Sequence, residues 1–96
     1  MAGYSVDEID DIRIAVSEVL LALIEHGAGQ LIEVQFAIED DCFVVRAHTH
    51  IDSFDVDHPD LALCRTVLAG VCTSHGIELL DDEAHIWAAV AHTFHP

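Results

Sequence analysis

The chain has 96 residues, with 18 acidic side chains against 3 basic ones, a formal charge of −15 and 52% hydrophobic residues. That length predicts one domain over 1–96 with a modest core. The charge excludes recognition of a phosphate backbone, so no nucleic-acid partner is expected, and no apolar run approaches the ~20 residues that a membrane-spanning helix needs. Residues 1–11 are acidic and carry no apolar signal segment, which predicts a cytoplasmic location. A surface this acidic favours and steers basic protein partners.

Ser5-Val6-Asp7-Glu8 has the spacing of a capping box, in which the serine hydroxyl and the glutamate carboxylate satisfy each other's backbone amides. A helix is predicted from there over 6–26, stopping at Gly27. Ile9, Ile12, Val16, Val19, Leu20 and Leu23 recur at helical spacing and form one apolar stripe. Ile14 and Leu21 project from the other side, with Ile24 between, so the helix is apolar beyond one stripe and needs a second cover. These three are the candidate protein-interface residues.

Residues 31–38 alternate, with Ile32, Val34, Phe36 and Ile38 predicted inward and Glu33 and Gln35 outward. Glu39-Asp40-Asp41 reads as a turn. A second strand follows over 42–50, with Phe43, Val45 and Ala47 on one face and Arg46, His48 and His50 on the other, and the two strands should pair as an antiparallel hairpin. Residues 51–58 form an acidic loop. Pro59 suits the first position of a second helix over 59–75, ended by Gly76, with Leu61, Cys64, Val67, Leu68, Val71 and Cys72 as its stripe. A short strand over 77–80, a turn at Asp81-Asp82-Glu83 and a final strand over 84–94 complete the chain. The last strand should show Ile86, Ala88, Val90 and Phe94 on one face and Trp87, Ala89 and Ala91 on the other. The order α-β-β-α-β-β predicts an α/β (α+β) two-layer sandwich with two helices on one face of a mostly antiparallel sheet.

Cys42, Cys64 and Cys72 form no Cys-x-x-Cys pair and read as small core residues. Of the eight histidines, His48 and His50 share a strand face near Asp52, Asp55 and Asp57 and are the best local metal candidates. A transition-metal site needs three or four convergent ligands, and the sequence supplies no third histidine beside them, so no metal site is assigned.

Within the first helix, Glu18 and His26 flank Ala22 at the spacing Glu-x-x-x-Ala-x-x-x-His. This resembles the N-box, Glu-x-x-x-Asn-x-x-x-His, of the GHKL (Bergerat) ATPases, and most of all that of the bacterial anti-sigma-factor serine kinases. The element order is similar to the body of that fold along essentially the whole chain. The resemblance implies a truncated Bergerat-type fold, because the family usually begins earlier, with a further strand and helix; a sheet edge is then expected to stand bare and open to pairing with another chain. In the family the Asn helps to hold Mg²⁺, and here Ala22 offers no oxygen. The family's Asp-x-Gly-x-Gly falls on Ala47, Thr49 and Ile51, and its glycine-rich loop falls on 58–63, which has no glycine. Glu18 is therefore a vestigial catalytic candidate only, and neither a cofactor nor catalytic residues are expected. The resemblance implies a non-catalytic pseudo-kinase: a regulatory protein-binding module, either a homodimer or the partner of a basic protein, by analogy a sigma factor or its antagonist. The alternative is a divergent ATP-binding serine kinase or ATPase of the GHKL class. A third reading is a small metal-responsive protein built on the histidines.

Overall fold

A computed structural model describes residues 4–28 and 31–92. The predicted capping box is present: Glu8 N–H donates to Ser5 Oγ at 3.1 Å and Ser5 N–H to Glu8 Oε1 at 2.9 Å. It opens α1, Val6–His26, and Gly27 ends it with its N–H on the Leu23 carbonyl. A Cβ on Gly27 would lie 2.5 Å from both the Leu23 oxygen and Thr49 Cγ2, so the helix end and the sheet meet where only a hydrogen fits.

β1, Ile32–Glu39, and β2, Cys42–His50, pair antiparallel from Ile32↔Thr49 to Glu39↔Cys42. Asp40 and Asp41 join them, both with positive φ (50° and 62°), which is the backbone of a two-residue type I′ hairpin turn. α2, Pro59–Val71, starts with Pro59 at its first position, as the sequence predicts, and His58 is its N-cap. β3, Ser74–Leu80, and β4, Glu83–Ala91, form a second antiparallel hairpin. Strand order is β1-β2-β4-β3. The result is the expected α+β sandwich: two helices and a four-stranded antiparallel sheet, with the core at the helix–sheet interface around Val19, Leu23, Val45, Leu61, Leu68 and Ile86. No helix among the described residues is long and apolar enough to cross a membrane.

Three predicted details are corrected. First, α2 stops at Val71, several residues before the expected end, and His75 is a strand residue opposite Ala88. The chain turns extended at Cys72, and Thr73 N–H donates to the Ala89 carbonyl at 2.9 Å, so recruitment to the sheet ends the helix. Gly76, read as a helix terminator, sits inside β3 facing Trp87; a Cβ there would lie 2.6 Å from the indole Nε1.

Second, the expected inward row of β1 is largely uncovered. Val34, Phe36 and Ile38 are 37%, 55% and 62% exposed. They point to the helix side in register with Ala47, Val45 and Phe43. However, α1 lies over β2 and β4, and α2 over α1 and β3, which leaves this edge strand beyond the helical layer. Third, Ile9 belongs to the predicted stripe but is exposed, while Ala15 and Ala22 are buried instead. The stripe is rotated toward the small residues because α1 must approach α2 as well as the sheet. The final strand is described to Ala91; its expected extension to Phe94 lies outside the described residues.

Candidate functional site

The C-terminal turns of α1 meet the N-terminal half of α2 at a cavity of about 290 Å³. Its walls carry three carboxylates, Glu18, Glu25 and Asp60, with Ala22, Leu21 and Leu63 between them. Ala22 is 6% exposed, so the position that resembles the N-box asparagine is a methyl group packed at the cavity floor. Cys64 lies beside it and its thiol donates to the Glu18 carbonyl at 3.8 Å. Burial pushes the Cys64 thiol pKa up, and the Glu18 charge adds to the shift.

At one end of this cavity three ligating side chains converge. His26 is the last residue of α1, His58 caps α2, and Asp60 sits in the first turn of α2. His26 Nε2 is 3.8 Å and His58 Nδ1 is 3.7 Å from Asp60 Oδ2. The two imidazole rings are 4.8 Å apart between centroids, and Phe54 meets His26 edge-on at 6.1 Å. Asp60 N–H also donates to His58 Nδ1 at 3.1 Å, which closes the helix cap.

The open face of the sheet holds a second polar surface. Cross-strand registry sets Glu33, His48, His85 and Glu78 in one row across all four strands. His48 and His85 stack at 4.7 Å, tilted by 19°. In the next row Arg46 lies opposite Trp87, and the two rows line a groove of about 530 Å³. Arg46 is bidentate on Glu39; that bond, more than the attraction between the charges, holds the Glu39 carboxyl below its ordinary range.

The residues singled out from the sequence divide as follows. Glu18 lines the helix-junction cavity. Ile14, Leu21 and Ile24 are 37%, 48% and 64% exposed on the outer side of α1. Ala47, Thr49 and Ile51, aligned with the family's Asp-x-Gly-x-Gly, are buried; Ala47 and Ile51 are core side chains, and Thr49 donates its hydroxyl to the Leu31 carbonyl. His48 and His50 do share the open face, but they turn to different partners. His48 takes Glu33 at 3.1 Å, and His50 lies between Asp52 and Asp82 at 3.5 and 3.3 Å. Sequence reasoning missed the convergence of His26, His58 and Asp60, since the sole local signal was a His-Pro-Asp step at a helix start and the third member is supplied by a helix end far back in the chain.

No family model matches the sequence, and no curated protein matches it. Among solved structures the chain is similar to the Acinetobacter baumannii histidine kinase AdeS, with a TM-score of 0.66 and 4% identity over 88% of this chain and 47% of that one. The chain thus spans about half the length of that kinase chain. At this identity the likeness concerns the fold alone, which is histidine-kinase-like.

Proposed function

We propose that this chain is a non-catalytic, protein-binding regulatory module: a relative of the anti-sigma-factor serine kinases whose ATP site has been lost. The observation that supports it is the lining of the helix-junction cavity. A phosphate-binding site recruits cations and exposed backbone N–H groups. This cavity instead presents Glu18, Glu25 and Asp60, and Ala22 stands where the resemblance asks for a magnesium ligand. Three carboxylates lining one cavity repel a triphosphate, and a methyl group cannot ligate a hard cation.

Binding to protein is supported by the apolar side chains left on the surface. Leu21 and Ile24 on α1 and Phe36 and Ile38 on β1 are each about half exposed or more. Exposed apolar clusters of this kind mark association surfaces. The partner in this reading is a second copy of the chain or a protein with a basic face, drawn in by the net charge of −15.

A thermal melt and a calorimetric titration with ATP and ADP, with and without Mg²⁺, test the loss of the nucleotide site. A ligand at 100 times its dissociation constant would stabilise the native state by ~2.7 kcal/mol, a shift of several degrees for a domain of this size. The expected result is neither heat nor shift, and a Mg²⁺-dependent shift would return the chain to the active ATPases. Light scattering of the wild type against an Ile14→Glu, Leu21→Glu double variant tests association. The variant is expected to be the smaller species, and equal masses would remove this face of α1 from the reading.

A further inference from the structure

We propose that His26, His58 and Asp60 form a binding site for a divalent transition-metal ion, zinc by preference, at the junction of α1 and α2. The donor set is two imidazoles and one carboxylate, which is the ligand complement of zinc sites that keep a fourth, exchangeable position. One ligand atom from each of the three residues lies within 4.8 Å of the other two. With bonds of ~2.0–2.1 Å, tetrahedral geometry sets ligand atoms roughly 3.3 Å apart. The two imidazole-to-carboxylate separations, 3.8 and 3.7 Å, are already close to that.

The independent observation is the state of His26. Its Nε2 is sealed from solvent and has no hydrogen-bond partner among the described residues, with Asp60 too far for a hydrogen bond. A buried imidazole nitrogen is normally satisfied, and the donor atoms grouped with this residue are those of His58 and Asp60. The side chains that would close on an ion are the less covered ones: Asp60 is 60% exposed and His58 43%, against 17% for His26. One largely covered ligand sits at a helix end and two more exposed ones at a helix start, and to bind an ion through Nδ1 His58 would exchange its capping bond from the Asp60 N–H for the metal.

The surroundings favour a cation. Glu18 and Glu25 line the same cavity and add negative potential. Magnesium is disfavoured, since it demands near-octahedral oxygen coordination, whereas two imidazoles suit zinc and its first-row neighbours. The fourth position would open toward the cavity and take water or a side chain of a docking partner. This inference stands apart from the protein-binding reading, and either can fail alone.

The test is a titration of the untagged, chelator-treated full chain with ZnSO₄, read by competition against a zinc indicator and by native mass spectrometry. Co²⁺ serves as a second probe, since tetrahedral coordination gives it intense visible bands. One ion per chain is expected. Asp60→Asn and His58→Asn should each weaken binding at least about ten-fold, a change at the level of ligand-shell disruptions. Asp60 is exposed and His58 partly so, and Asn at position 58 preserves the helix cap, so folding should be kept; far-UV circular dichroism checks this. His48→Gln on the open sheet face should bind as the wild type does. The proposal is overturned if Asp60→Asn and His58→Asn titrate like the wild type, if His48→Gln loses as much affinity as they do, or if the wild type takes up no single ion.

Discussion

Replacing Gly76 with alanine should be the most damaging one-carbon change in the sheet. Gly76 lies opposite Trp87 on the open face, and the indole covers the glycine. An added Cβ would stand 2.6, 2.9 and 3.0 Å from Trp87 Nε1, Cε2 and Cζ2. Three contacts along one rigid ring edge cannot be relieved by a small side-chain rotation, so the ring must leave its place or the β3–β4 pairing must spread. Overpacking of this kind costs about 1–3 kcal/mol. For a domain of this size that is a drop in Tm of roughly 4–8 °C per kcal/mol. Gly70 is the internal control. It lies in α2 with nothing within 4 Å of its virtual Cβ, so Gly70→Ala should raise stability by about 0.5–1 kcal/mol, the helix-propensity difference. The assay is thermal unfolding followed by tryptophan fluorescence, which reports on Trp87 alone because the chain has one tryptophan. Gly76→Ala should lower Tm and shift the native emission to the red, and Gly70→Ala should do neither. Equal Tm values and an unchanged emission in Gly76→Ala would refute the claim that glycine is required by the ring.

Other expectations follow from the core, the turns and the thiols. Leu68 is fully buried between α2 and the sheet, so Leu68→Ala should cost about 2–5 kcal/mol in urea unfolding; a loss below ~1 kcal/mol would mean that the core closes around the gap. Asp41 has a φ of 62°, and Asp41→Gly converts the β1–β2 turn to the favoured Asp-Gly pair, with a gain of up to about 1 kcal/mol in the same assay. Burial, then the charge of Asp11, pushes the Cys72 thiol from 9.0 to about 11. Because the folded value is the higher one, the stability carried by the neutral thiol is complete below pH 9 and fades as the pH rises through 11. Native Cys72 should therefore resist iodoacetamide at pH 9 and react fast in denaturant, as peptide mass spectrometry can show; equal rates in both would contradict the burial.

Much of the architecture was legible because its causes are local. Ser5 and Glu8 close a capping box with bonds three residues apart, and Gly27 and Pro59 mark helix boundaries through backbone geometry. Alternation along 43–49 gave the faces of β2 correctly, since neighbouring side chains in a strand must point to opposite sides. The end of α2 is not legible locally, for the complementary reason. Nothing near Cys72 forbids more helix; the competing Thr73–Ala89 bond comes from a strand that lies later in the chain. Gly76 carried a misleading local signal, because its real cause is the Trp87 ring.

The candidate site shows the same division. By itself the sequence determined the order of helices and strands, the alternating faces of β2, the net charge and the presence of a methyl group at Ala22, all of which depend on residue type and short-range spacing. Only the tertiary structure decided that β1 lies beyond the helical layer, leaving Phe36 and Ile38 exposed, and that His26 meets His58 and Asp60. Periodicity specifies a direction relative to an element's own axis. Which neighbour lies in that direction is set by how the two helices pack on the sheet, and that packing is a balance among side chains from every element.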